Sequence, residues 1–346
     1  MKKLLTRIFA AAALLVAAGT QYADACSRIL YVGSDSLRIV GRSLDWKTPI
    51  PTNLYVYPRG IAKEGHSLPG AVKWVSKYGA IYAVGYDGGV TEGMNEKGLV
   101  VNGLFCKGTV YENDSTKNLP PMSLAMFPAW LLDNCANTAE AVALLEKHDF
   151  NISGASFDNG TTSTLHWGIT DPSGASAVVE FDHGSIRIYT GQDITAMTND
   201  PTFPSMNAIN DYWQAKGGTH TLPGTVSSPD RFVRGYFFAH HVDPTSDPDL
   251  GFSIIRSILM NVSVPYTYTV GEANVSSTQW RSFANLRDLR YYFDVVTNPG
   301  AYYIDLSKCD LRPGASVMKL DTSKSSTFVG EANSHLFKSA PFTPMY

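Results

Sequence analysis

Cys26 directly follows Ala23-Asp24-Ala25, whose small residues fill the two positions that signal peptidase reads. Ahead of them stand a basic start (Lys2, Lys3, Arg7) and an apolar run from Ile8 to Ala18, so residues 1–25 read as a secretory signal peptide. Cleavage after Ala25 makes Cys26 the first residue of the mature chain. Its α-amine, with an unperturbed pKa of roughly 7.7–8.0, can then accept the proton of its own thiol. Nucleophile and base belong to one residue. Two other readings stand beside this one. Cys26 is a lipid-anchor site, although Ala-Asp-Ala fits the Leu-Ala-Gly-like approach of such sites poorly, or it is an ordinary cysteine or half of a disulfide.

A thiolate that attacks an amide also needs a group to orient the amine and donors for the tetrahedral oxyanion. Gly41-Arg42-Ser43-Leu44-Asp45-Trp46 offers an arginine and an aspartate three residues apart, at the end of an expected second strand. If that strand pairs with the first, its end lies close to the new N-terminus; otherwise Arg42 and Asp45 are a surface pair. Cys106, Cys135 and Cys309 are scattered, with no CxxC, and read as small buried hydrophobes, with a Cys106–Cys135 bridge as the alternative. His166, His183 and His240-His241 show no ligand spacing, so neither metal nor cofactor is expected.

The elements that must position these groups alternate in blocks. Short apolar runs separated by turn residues predict strands over 28–32, 37–40, 53–57, 71–75, 80–84 and 99–105. Helical stripes follow over 123–134, despite Pro128, and over 138–148, with Asn137 and Glu140 in capping positions. Strands return over 164–170, 175–181, 185–189 and 193–197, then helices over 205–214, 230–239 and 251–259. The last third reads as strands over 277–283, 290–295, 301–304 and 316–320. No repeat or linker interrupts the order, which suits a single α+β domain over 26–346 with two helical layers around a sheet core.

Composition excludes several partners. The whole chain carries 28 basic and 31 acidic residues, and removing a basic leader makes it more acidic, so nucleic acid is not an expected partner. The only long apolar run lies in the leader and is too short to span a bilayer. The expected product is soluble and periplasmic or secreted.

Five blocks occur in order: Cys26-Ser27-Arg28; Gly41 through Trp46; Asn95-Glu96-Lys97-Gly98-Leu99; Met197-Thr198-Asn199-Asp200-Pro201; and Leu222-Pro223-Gly224 followed by Ser228-Pro229-Asp230-Arg231-Phe232-Val233-Arg234. With them the chain resembles the choloylglycine hydrolase family of bile salt hydrolases and penicillin V acylases, in particular its exported Gram-negative branch. The resemblance spans nearly all of residues 26–346. It implies a four-layer αββα N-terminal-nucleophile fold and hydrolysis of a non-peptide linear amide through a thioester. Cys26 matches the family nucleophile, Asp45 the carboxylate that holds its amine, and Arg42 the neighbouring guanidinium. Arg231 matches the second arginine, with Arg234 structural, and Asn199 the oxyanion-hole amide. After Gly103-Leu104 stands Phe105, where relatives carry Asn or Tyr, so a second oxyanion contact must come from the Phe105 backbone N–H or another group. Trp46 and Phe105 are expected as walls of the acyl pocket, with Asn102 a weaker candidate. The resemblance implies a small-molecule amide substrate (a conjugated bile salt, penicillin V or an acyl homoserine lactone) and a homotetramer. An inactive secreted binding protein of the same fold, or a lipoprotein anchored through Cys26, remains the alternative.

Overall fold

Two antiparallel-rich sheets lie face to face because each buries apolar residues on both of its sides. The computed structural model describes residues 26–111, 118–147, 149–154, 156–157, 161–183, 185–217, 220–269 and 276–346. The signal-peptide reading, the middle of the loop after Lys107, and the expected helix end at His148 lie outside them. In the first, seven-stranded sheet, Ser27–Val32 sits between Arg38–Trp46 and the two-residue strand Ala196–Met197, and Arg38–Trp46 pairs onward with Ser277–Asn285. In the second, nine-stranded sheet, Val100–Phe105 lies between Gly89–Asn95 and Leu165–Thr170.

Three apolar zones follow from this layering. Leu30, Val40 and Leu44 meet Leu54, Ile81 and Val100 between the sheets. Helices Phe203–Lys216, Ser228–His240 and Pro248–Asn261 cover the first sheet through residues such as Met206, Phe232 and Ile255. Helices Phe127–Asn134 and Thr138–Glu146 cover the second through Phe127, Leu131 and Leu145 against Trp167 and Val179. The order is helix, sheet, sheet, helix, as expected.

The helices differ from the sequence expectation chiefly at their starts. Pro128, Pro204, Pro229 and Pro248 all lie in first turns, where a missing N–H costs nothing. The first helix therefore begins at Phe127 rather than residue 123. Asn137 caps the next helix by accepting from the Glu140 amide at 2.9 Å. Among the strands, Arg38–Trp46 runs six residues past the expected 37–40, and Gly89–Asn95 was not expected at all. Both carry buried polar side chains that break the apolar pattern. The expected strand over 193–197 shrinks to Ala196–Met197. Cys26, Cys106, Cys135 and Cys309 are free thiols, and Cys309 is only half-buried. Among the described residues no helix is long and apolar enough to cross a membrane.

Candidate active site

Strand register gathers the site. Ser27 pairs with Ser43 and Arg28 with both Arg42 and Met197. Cys26 therefore lies one residue outside a three-strand edge, with Asp45 two residues past Ser43 and Asn199 two past Met197. On the far side of Asp45 the register places Thr278. The expected proximity of Arg42 and Asp45 to Cys26 holds, and it is a consequence of the first hairpin. The surface-pair alternative does not hold, since Arg42 is 3% and Asp45 0% exposed.

Arg231 arrives from the first turn of its helix and is wholly buried. Its Nη1 donates to the Cys26 carbonyl and to Ser27 Oγ, both at 2.6 Å, its Nη2 to Asn199 Oδ1 at 2.7 Å, and its Nε to the Val226 carbonyl. A guanidinium only donates, so this contact fixes which end of the Asn199 amide faces inward. Asn199 Oδ1 also accepts from Cys26 N at 2.7 Å, while Nδ2 donates one hydrogen to the Phe105 carbonyl at 2.6 Å. The second Nδ2 hydrogen is the one that can face a substrate oxygen. Asp200, next in the chain, accepts from the Lys107 and Gly108 amides at 2.7 Å each. It pins the Asn199 segment to the end of Val100–Phe105. Arg234, one turn after Arg231, spends its guanidinium on the Pro223 and Thr225 carbonyls and is structural.

Arg42 Nη2 lies 3.7 Å from Cys26 Sγ and donates to the Gly103 carbonyl at 2.8 Å, bridging the two sheets. Burial pushes the Cys26 thiol up; the Arg42 charge and the backbone amides of Asp45 and Phe105 pull it back. Asp45 Oδ2 accepts from Ser43 Oγ at 3.2 Å, and Oδ1 has no hydrogen-bond partner among the described residues. Burial raises Asp45 to about 6, against the pull of Arg231, Thr278 and Arg42. An uncompensated acceptor this deep is costly, and an added ammonium donor on Cys26 would satisfy it.

A cavity of about 190 Å³ opens above the sulfur. Trp46 and Phe105 both line it, their rings tilted at 5.6 Å, with Leu44, Leu124, Leu165 and the rim residue Lys47. Asn102 does not line it: its Oδ1 accepts from Arg28 Nε at 2.9 Å, between the sheets. Arg28 fits there because Gly168 has no side chain; a Cβ would meet the Arg28 Cδ and Nε at 2.7 Å. Glu92, which sequence reasoning passed over, is also wholly buried behind the cavity, 3.4 Å from Arg42. Among the described residues no cluster of His, Cys, Asp or Glu could hold a metal ion. The arrangement can therefore do acyl chemistry at one sulfur, with a carboxylate, two guanidiniums and an amide around it and apolar walls for an acyl group.

The profile of the linear amide C–N hydrolases, choloylglycine hydrolase family, matches residues 26–328. A penicillin V acylase from Pectobacterium atrosepticum is 32% identical, over 99% of this chain and 97% of that one. The solved penicillin V acylase of Agrobacterium tumefaciens is 39% identical with a TM-score of 0.85, covering 92% of this chain and 99% of that one. The conjugated bile acid hydrolase of Clostridium perfringens, at 24% identity and a TM-score of 0.71 over 84% of this chain and 95% of that one, shares the fold.

Proposed function

This chain belongs to the choloylglycine hydrolase family of linear amide C–N hydrolases, and we propose that it uses Cys26 to cleave amides with an aromatic or medium-length acyl group, of the penicillin V kind. The observation that carries the reading is the placement of one residue. The Cys26 sulfur faces an apolar cavity with Arg42 3.7 Å away, while the Cys26 nitrogen is held at 2.7 Å by Asn199.

The steps follow from these positions. Export and removal of residues 1–25 free the α-amine, which takes the thiol proton. The thiolate attacks the amide carbon, forming an S–C bond, and the oxyanion is held by Asn199 Nδ2 and the Phe105 N–H. Collapse breaks the C–N bond as the ammonium passes its proton to the leaving amine. The amine then takes a proton from water, whose oxygen attacks the thioester and returns the sulfur. Asp45 and Arg231 hold the amine and the Cys26 carbonyl in line throughout. Each oxyanion donor is worth about 10²–10³ in kcat in comparable sites.

Cavity size favours the acyl group. About 190 Å³ is below the roughly 300–1,000 Å³ of pockets that enclose drug-sized ligands, so one ring on a short linker fits better than a four-ring steroid. The likeness to two penicillin V acylases supports the same choice. A panel of penicillin V, glycocholate, taurocholate and acyl homoserine lactones on the processed chain tests it. The expected result is a kcat/KM for penicillin V at least about tenfold above that for either bile salt, with Trp46→Ala raising the penicillin V KM about tenfold. Faster turnover of glycocholate would overturn the assignment.

The pH profile gives a second check. Asp45 must be ionised to hold the amine, and in the uncleaved chain burial, outweighing the pull of Arg231, Thr278 and Arg42, places it at about 6. The freed ammonium pulls it back towards its ordinary value of 3.8. We therefore expect kcat/KM to fall with decreasing pH through a midpoint between those values, and Asp45→Asn to remove that limb along with most of the rate. An acid limb unchanged in Asp45→Asn would assign it elsewhere.

A further inference from the structure

The charge behind the nucleophile comes from an element that carries no recognised site residue. Gly89–Asn95 places Glu92 opposite Asn102 on one neighbour and Ala83 on the other, with its side chain 0% exposed. From the second sheet it crosses to the first. Glu92 Oε1 accepts from Ser282 Oγ and from the Tyr291 hydroxyl, on two adjacent strands of the first sheet. Ser282 is the register partner of Arg42. Glu92 Oε2 thereby comes 3.4 Å from Arg42 Nε, close enough for an ion pair yet not aligned for a hydrogen bond.

This arrangement is a poor way to gain stability. A buried ion pair with imperfect geometry can often be replaced by apolar side chains at no loss. It is a good way to hold a guanidinium. Arg42 is fixed on one edge by Glu92, on another by the Gly103 carbonyl at 2.8 Å, and on one face by the Trp280 ring at 4.8 Å. The Nη2 that reaches Gly103 also lies 3.7 Å from Cys26 Sγ, while Nη1 is buried with no hydrogen-bond partner among the described residues. The charged groups around that sulfur are then Arg42, Arg231 and, farther back, Arg28, against Asp45 and Glu92. Tyr291 stays neutral, since burial and then Glu92 itself push its hydroxyl well above the ordinary value. On the processed chain the α-ammonium that forms with the thiolate joins the three guanidiniums, so four cations face two carboxylates and the thiolate.

We propose that Glu92 is a positioning residue for the hydrolysis: it tethers Arg42 against Cys26 and sets how much positive charge the sulfur feels. This rests on Cys26 being the nucleophile. Remove the Glu92 charge and Arg42 acts on the sulfur uncompensated. The thiolate then forms at lower pH but is a weaker nucleophile, and the guanidinium loses its tether.

The experiment measures kcat, KM and the pH dependence of Cys26 alkylation by iodoacetamide on the processed enzyme, with thermal melts to confirm folding. Glu92→Gln keeps an oxygen for Ser282 and Tyr291 but turns an amide NH₂ towards Arg42. Its kcat is expected to fall roughly 10–100-fold with KM little changed, and its alkylation midpoint to drop by about one pH unit. Glu92→Asp, which keeps the charge, should hold the midpoint near that of wild type. Tyr291→Phe takes a donor from the carboxylate, leaves it more negative towards Arg42, and should move the midpoint upward by a smaller amount. A folded Glu92→Gln with wild-type kcat and midpoint overturns the proposal. Where Glu92→Gln does not fold, an unmoved midpoint in Tyr291→Phe overturns it instead. If alkylating Cys26 leaves wild-type activity intact, it is the nucleophile assignment that fails.

Discussion

Cys26→Ser in the processed chain is expected to lower kcat by about 10³-fold or more while leaving the melting temperature within a few degrees of wild type. The two halves of this result have different causes. Serine is nearly isosteric, and residue 26 sits in one buried cluster with Leu104, Val178 and Met197 that the change leaves in place. The Cys26 main chain stays clamped by Arg231 and Asn199 in both. The chemistry does not survive. An α-amine of pKa roughly 8 can take a thiol's proton but is a feeble base towards an alcohol. The surrounding groups make the gap worse, since a site 4% exposed penalises the anion and offers Arg42 at 3.7 Å as its main compensation. Single-turnover assays with penicillin V, beside thermal melts, give the answer. A serine variant that turns over as fast as wild type would mean the acyl group never rests on residue 26.

The same geometry explains which parts of the site were legible in the sequence. Cys26, Arg42 and Asp45 belong to one hairpin, so local pattern alone brings them together. Asn199 and Arg231 lie far along the chain and were found only through the ordered motif blocks; the structure joins them to Cys26 by hydrogen bonds of 2.6–2.7 Å. Trp46 and Phe105, read as pocket walls, both line the cavity with ring centroids 5.6 Å apart, because the strand ends that carry them face each other across the sheets. Glu92 was invisible for a physical reason. Its strand reads Gly-Val-Thr-Glu-Gly-Met-Asn, two glycines and three polar residues, and none of the alternation that marks a half-buried strand. Arg38–Trp46 was cut short on the same account: Arg42, Ser43 and Asp45 are buried polar residues where a core strand would be apolar. Local rules fail where the interior is built for charge. Asn102 went wrong in the other direction, as a polar residue beside the pocket in sequence whose partner, Arg28, faces away from it.

A folded chain that keeps even two residues ahead of Cys26 is expected to lose activity by about 10²–10⁴-fold, the usual worth of a general base. In peptide linkage the Cys26 nitrogen has no basic lone pair, and its one hydrogen is given to Asn199 Oδ1. The thiol, pushed up by burial, then has no proton acceptor of its own. Asp45 is left in a matching predicament. Its Oδ1 is buried without a partner among the described residues, and its carboxyl is raised to about 6 from 3.8. A raised carboxyl disfavours the folded state once ionised, and that penalty grows as pH rises from 3.8 through 6. On the proposed reading, cleavage would supply both missing parts at once, a base for the sulfur and a cationic donor for Asp45. Two measurements follow from one pair of proteins. At pH 7 the processed chain should hydrolyse amide and melt several degrees above the extended one. Below pH 6 the difference in melting temperature should shrink as Asp45 takes up its proton in the extended form. Equal activity in both would mean that the base lies elsewhere. Equal melting at every pH would mean that Asp45 does not meet the new amine.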